Sequence, residues 1–476
     1  MPSRESHDFA DLRAELELPP ADRTDEFPRE VIAEAERVAT ITPKAPTDLT
    51  DIEFVTIDPP GSMDLDQAVH LERVGDGFRV RYAIADLGSV IDLGGAIDVE
   101  ARRRGQTIYL PDGRVPLHPP VLSEGALSLL PDQVRGAAVW TVDVGPDGAL
   151  GAATVERALV RSVARLDYAG VQADADAGAL HPSIEALPDL GRVRYQARLA
   201  AGAVELALPA QEVVADGDDW RIRIEPRTQA DAWNAEVSLL TGMAAARMML
   251  DAGIGLLRTL PAPDADDVRQ FMKLAQRLGV VVEDGQTPGQ VLAGLDMKQP
   301  ESLALATGAT KLLRGAGYQA FDGAPPDVTE HAGIGGQYAH VTAPLRRLVD
   351  RFAIEVCLAL SAGDEVDADL RAALPDVVDA MGSSDHVVSR ATRGAVDLVE
   401  VWVMQQHGDD TFDAVVTREA VEGRPAEVMV LRPPVLSDCS GRELDAGARV
   451  RVRVGRIDIE KHEVTYVKAD EDAPSS

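Results

Sequence analysis

The 476-residue chain reads as an α+β protein, with sheet first, helices after and a small β-barrel at the C-terminal end. Three observations predict this. From Asp51 to about Gly170, short apolar runs alternate and are cut by turns at Gly75-Asp76-Gly77 and Gly145-Pro146-Asp147-Gly148. From Leu187 onward, apolar positions recur every three or four residues, as one face of a helix requires. After Gly408, clean alternation returns for about sixty residues.

The first fifty residues are charged, with a helix expected from Pro28 to Val38 and a linker from Pro43 to Thr50. Helices are expected over Ala235–Leu250, Ala265–Leu278, Pro344–Leu360 and Ser389–Met404. Strands are expected over 414–416, 426–431, 448–454 and 463–467. In the third of these, Arg449, Arg451 and Arg453 fall on one face. Phe412 and Tyr466 are the only aromatics of that barrel, a thin platform for stacking bases. Residues 471–476 read as a disordered tail.

Composition sets limits. No run approaches the roughly 18 apolar residues of a membrane span, and Met1-Pro2-Ser3-Arg4 does not open a signal peptide. The two cysteines, Cys357 and Cys439, fit neither a zinc site nor a disulfide framework, so a cytoplasmic location is expected; separately, a monomer is expected. The formal net charge of −32 argues against a phosphate-binding protein, since phosphate contacts need Lys and Arg. Net charge, however, governs solubility and steering rather than a local channel. The arginines cluster at Arg102–Arg104, at Arg346, Arg347 and Arg351, and at Arg449–Arg456. Arginine's fork suits phosphate, and GC-rich coding would give the same excess over lysine.

The most informative segment is Phe54-Val-Thr-Ile-Asp58-Pro-Pro-Gly-Ser-Met-Asp64-Leu-Asp66-Gln67. A strand ends in Asp58, a Pro-Pro-Gly-Ser turn breaks it, and two more carboxylates follow on the loop. Carboxylates converging on one point need a cation between them, and hard oxygen ligands suit Mg²⁺ or Mn²⁺. The bland alternative is that aspartates cap turns. A calcium loop is not supported, because Gln67-Ala68-Val69 breaks its pattern.

Further blocks lie downstream: Glu100 to Pro131, with Tyr109, Pro116, Ser123 and Ser128; Arg161-Ser-Val-Ala-Arg165-Leu-Asp-Tyr168; and Gly336-Gln-Tyr338-Ala-His-Val-Thr342-Ala-Pro344-Leu-Arg346-Arg347-Leu-Val-Asp350. In this order, and with the Asp loop, they resemble the RNase II/RNase R family of exoribonucleases over residues 51–406. The resemblance implies an RNB-type catalytic core, a mixed sheet plus helices forming an RNA channel over residues 51–406, and an S1/OB-like barrel over residues 408–470. It implies a metal-dependent 3′-to-5′ exoribonuclease that hydrolyses single-stranded RNA to 5′-nucleoside monophosphates. Family Asp positions fall on Asp58, Asp64 and Asp66, with Asp66 most important for chemistry, and Gln67 stands where a fourth Asp is usual. Arg346 matches the arginine that clamps the scissile phosphate, with Arg347 beside it. Tyr109 and Tyr168 match base-contacting tyrosines, Glu236 a glutamate near the last base, and Thr392 stands where a glutamate is usual. His340 is expected to pack. Fifty residues are too few for the two N-terminal cold-shock barrels of the family. Gln67 and Thr392 keep open a catalytically impaired RNA-binding relative, and the acidic charge keeps open an interaction protein that does not bind RNA.

Overall fold

The computed structural model describes residues 8–206, 210–216, 219–225, 227–407, 410–421, 424–432, 434–459 and 461–469. Position 408 and the expected tail at 471–476 lie outside the described residues. The N-terminal segment forms α1 (Ala10–Glu15) and α2 (Arg29–Ala39), the latter close to the helix expected. Neither is loose. Phe9 is fully buried, its ring 5.1 Å from Trp220 and 5.4 Å from Trp402, while Val31, Ala35 and Val38 pack under the sheet.

The strand-rich part contains β1 (Thr47–Asp48), β2 (Phe54–Ile57), β3 (Gln67–Val74) and β4 (Gly77–Ala85). After α3 (Ala96–Arg104) come the hairpin strands β5 (Ile108–Leu110) and β6 (Gly113–Val115), then β7 (Val134–Val144) and β8 (Leu150–Leu166). The main sheet is six-stranded, in the order β1-β8-β2-β3-β4-β7. The long β8 also pairs antiparallel with β7 before running parallel to β2, so the hydrogen bonding returns on itself. β2 is buried throughout, as a strand covered on both faces must be.

Next come α4 (Tyr168–Ala177), α5 (Leu187–Ala200), the hairpin β9 (Ala210–Asp216) and β10 (Asp219–Glu225), and α6 (Gln229–Ala252). A Thr228/Asp231 capping box starts α6. β11 (Ile254–Thr259), α7 (Ala265–Arg277), α8 (Pro288–Ala293), α9 (Pro300–Gly308), β12 (Gly317–Asp322), β13 (Glu330–His331), β14 (Gly336–Gln337) and α10 (Leu348–Ala362) follow. The expected all-helical stretch is thus interrupted by the β9–β10 hairpin and by two further antiparallel pairs, β11–β12, whose strands are separated by α7 to α9, and β13–β14. α6 and α10 pack with the sheet around Trp140, Tyr82 and Phe352, all nearly inaccessible to water. α11 (Ala368–His407) is a 40-residue helix that contains the expected 389–404 segment and reaches the barrel.

The barrel is closed, in the order β15-β16-β17-β19-β18, from β15 (Thr411–Arg418), β16 (Ala426–Leu431), β17 (Pro434–Ser440), β18 (Arg449–Asp458) and β19 (Glu463–Lys468). Four of its strands coincide with expected segments. β17 was not expected, because Ser437-Asp438-Cys439-Ser440 carries no apolar alternation. Arg449, Arg451 and Arg453 are exposed while Val450 and Val452 are buried, so the three arginines share the outer face. Among the described residues, no helix is long and apolar enough to cross a membrane.

Candidate active site

β2 ends at Ile57, and the chain turns through Gly61, whose φ of 86° suits a residue without a Cβ. The loop from Asp58 to Asp66 is pinned from below. Leu65 is fully buried, and its N–H donates to Ser128 Oγ at 3.0 Å, while that hydroxyl donates to Met63 O at 2.6 Å. Leu129 N donates to Leu65 O, and Ala85 N to Asp66 O. With its own backbone satisfied, the loop can hold charged side chains in fixed places.

A cavity of about 490 Å³ opens over this loop. Asp58, Asp64, Asp66, Gln67, Tyr109, Tyr168 and Arg346 all line it, together with Arg114 and Glu124. The aspartates come from this one loop, and the tyrosines and arginines arrive from separate elements. Tyr109 stands half-exposed on β5, directly across the hairpin from Arg114 on β6. Arg13 of α1 grips the hairpin turn at Asp112, 2.6 Å away. Tyr168 opens α4, which Asp167 caps by accepting from Gly170 N at 2.8 Å, and Tyr168 Oη accepts from Asn234 Nδ2 at 3.4 Å. Arg346 sits just before α10, where Thr107 N donates to its carbonyl and ties the Tyr109 strand to this loop.

Asp66 is buried. Its Oδ1 accepts from Leu345 N at 2.7 Å, and its Oδ2 lies 3.4 Å from Arg346 Nε. Burial nevertheless pushes its carboxyl up to about 8, against the pull of Arg346. Asp58 is pushed up to about 6 by burial, with Asp64 adding to the rise, and its Oδ2 is buried without a hydrogen-bond partner. Asp64 Oδ2 lies 3.2 Å from Arg114 Nη1. Among the described residues, no three His, Cys, Asp or Glu side chains are gathered closely enough to hold a metal ion as they stand. Two of the three aspartates instead lean on arginines. The residues still fit a hard divalent cation, because an orphaned carboxylate oxygen and two carboxyls costly to ionise are what such an ion would relieve.

Three expected site residues are placed differently. Glu236 is buried on α6 in an ion pair with Arg198, its two oxygens each 3.0 Å from Nε, and is outside the cavity lining. A buried carboxylate without a cation would be costly, so this pair keeps Glu236 from a ligand. Arg347 stands at the N-cap position of α10 without a side-chain capping bond, and binds Asp350 through both Nε and Nη2, at 2.8 Å each. It too is absent from the lining, since a bidentate ion pair takes its fork. Gln67 does line the cavity, but its Oε1, the atom expected to face a metal, accepts from Tyr82 Oη and, at 3.4 Å, from Ser238 Oγ. Tyr82 is buried and needs an acceptor, and Gln67 supplies it. Thr392 is exposed on α11, and His340 packs with Tyr318 Oη at 2.9 Å, as expected.

Arg114 and Glu124 were not among the expected site residues. The turn Pro111-Asp112 was a usable signal for Arg114, because it places the residue across from Tyr109. The arginine cluster at 102–104 does not form a free basic patch: Arg102 pairs with Asp98, and Arg103 and Arg104 with Glu100.

An RNB domain matches residues 46–355, and an RNase II-type exonuclease C-terminal S1 domain matches residues 410–469. Ribonuclease R of Vibrio cholerae is 29% identical over 438 residues, covering 84% of this chain and 52% of the relative. Ribonuclease R of Escherichia coli is 26% identical over 468 residues, covering 88% and 57%. The chain therefore spans little more than half the length of these relatives. Among solved structures, Mycoplasma genitalium RNase R in complex with ribose methylated single-stranded RNA has a TM-score of 0.81 at 19% identity, over 93% of this chain and 76% of that one. Yeast Ssd1, described as a pseudonuclease, has a TM-score of 0.65 at 17% identity, over 86% and 50%. The RNB match alone takes in well over half of the chain, and with the S1 match behind it the chain belongs to the RNase II/RNase R family.

Proposed function

We propose that this chain is a metal-dependent exoribonuclease that hydrolyses single-stranded RNA from the 3′ end to 5′-nucleoside monophosphates. One observation carries the reading: three aspartates from one pinned loop meet Arg346 and two tyrosines from separate elements around a single cavity. The relatives named Ribonuclease R support it. In this reading the residues from 51 to 406 form the catalytic unit, and the S1-like barrel from 408 to 470 guides RNA as part of a monomer.

Asp58, Asp64 and Asp66 would hold Mg²⁺ or Mn²⁺, which would activate water and neutralise charge on the phosphoryl oxygens. Arg346 is half-exposed, its Nε steadied by Asp66, and it offers the rest of its fork to the scissile phosphate. A cation fixed in this way favours the charge that builds in the transition state. Tyr109 and Tyr168 present rings to the terminal bases, a mode of recognition tolerant of sequence.

A second reading, an RNA-binding relative with impaired catalysis, is favoured by the inward turn of Gln67 and by the pseudonuclease among the related folds. A time course on a 5′-labelled, unstructured RNA, with and without Mn²⁺ and beside Asp66→Asn, separates the two. The first reading expects a metal-dependent ladder that shortens from the 3′ end and falls about 100-fold or more in the variant. RNA that is bound and intact in every lane would establish the second.

A further inference from the structure

The cavity holds four carboxylates, Asp58, Asp64, Asp66 and Glu124, and two guanidiniums, Arg114 and Arg346. Arg346 leans on Asp66 through Nε alone. Arg114 is shared: one arm lies 3.2 Å from Asp64 and the other pairs with Glu124. Arg114 and Glu124 are each a little over a quarter exposed, so water reaches the pair and the guanidinium can exchange partners. Both lie at the cavity rather than in the core. Arg114 is carried by the β5–β6 hairpin, whose turn is anchored to α1 through Asp112.

We infer that Arg114 is an internal counter-cation that competes with the divalent ion for Asp64, and that Glu124 is the anchor drawing Arg114 away from it. The pair thereby sets how much metal the enzyme needs. The argument is electrostatic. A carboxylate satisfied by a guanidinium has less to gain from a metal, and a fixed positive charge beside the site repels a second cation. Glu124 acts on metal only through Arg114, so both are positioning residues. The inference rests on the metal site proposed above and deepens it.

The test is calorimetric titration of Mn²⁺ alone into the full chain, without RNA, so that catalysis is not the readout. Arg114→Gln should tighten Mn²⁺ binding about 5- to 10-fold, the size of a modest coupling between neighbouring groups. Glu124→Gln should weaken it by a similar factor, because the released guanidinium settles on Asp64. In the double variant, Glu124→Gln should have a much smaller effect than in wild type, since nothing remains for Glu124 to hold and only its direct charge is lost. Arg114→Lys keeps the charge without the fork and should fall between wild type and Arg114→Gln, which guards against a trivial packing effect. If wild type binds no Mn²⁺ that Asp66→Asn abolishes, the metal reading and the inference fall together. If wild type does bind and Arg114→Gln fails to tighten it, the inference alone is wrong. If Glu124→Gln weakens binding as much in the Arg114→Gln background as in wild type, Glu124 acts on the metal directly, by its charge or as a ligand, and the anchor role is overturned.

Discussion

The cavity and the barrel treat the same residue types in opposite ways. At the cavity, Tyr109 is half-exposed, Tyr168 is a partly buried lining residue, and Arg346 is nearly half-exposed and held by one nitrogen. In the barrel, Phe412 and Tyr466 are both buried, 6.4 Å apart ring to ring, and Arg449, Arg451 and Arg453 are among the residues left outside. Of those, Arg449 is paired with Glu301, whereas Arg451 and Arg453 are exposed. Base stacking needs an accessible ring, and phosphate attraction needs only charge. Under the function proposed above, base recognition would fall to the cavity and the barrel would be left with the backbone.

The largest effect expected from this division is at Arg346. Arg346→Ala should lower the rate constant for cleavage by about 100-fold or more, as loss of a preorganised charge-stabilising donor does. The melting temperature should move far less than the rate, because the side chain is nearly half-exposed and a carboxyl raised to about 8 can stay protonated without it. Single-turnover kinetics beside a melting curve would check both. A parallel loss of fold and rate would mean that Arg346 is structural, and the cavity would then resemble the barrel after all.

A crossed pair of substitutions sharpens the contrast. Tyr109→Ala should cost about 1–3 kcal/mol of RNA binding and alter the length of the final product while leaving stability unchanged. Phe412→Ala should do the reverse, costing about 3–5 kcal/mol of stability as a buried aromatic does, with little change in activity per folded molecule. Fluorescence binding to a short RNA and chemical denaturation measure the two axes. If Phe412→Ala weakened RNA binding at unchanged stability, the barrel would have a stacking role that its buried rings do not suggest.

How much of this could be read from the chain follows from the range of the interactions. The Asp loop, Tyr109, Tyr168 and Arg346 sit in short, ordered segments where a strand meets a breaker, and all of them line one cavity. The barrel's alternation was equally local, except at β17, where polar residues face both ways. Most of what was not legible depended on partners distant in sequence. Glu236 turned inward because Arg198 waits on α5, and Gln67 because Tyr82 and Ser238 need an acceptor. Arg347 was lost to Asp350, only three residues away, because the chain enters α10 at that point and the two side chains meet. Helix periodicity continued past β9–β10 and β11–β12, whose alternation is too short to outweigh the helices on either side.

The smallest effect concerns the seam between the long helix and the barrel. Glu400 on α11 faces Tyr466, whose hydroxyl is buried without a partner. Burial, and then the neighbouring Asp397, push the Glu400 carboxyl from 4.5 up to about 8. Asp397 is itself raised by burial, with Arg393, His462 and Glu463 around it. A carboxyl raised in the folded state holds its proton more tightly folded than unfolded. Its contribution to stability is therefore whole below 4.5 and is lost as pH rises toward about 8. Glutamine has no proton to lose, so Glu400→Gln should escape that decline. In metal-free buffer the variant should melt with wild type at about pH 5 and above it by about a few degrees at pH 8.5. An equal offset at both pH values would mean that Glu400 is ionised and hydrated in the folded chain. The seam would then be as open to water as the cavity, and the barrel would be docked by its surface charges rather than by a dry contact.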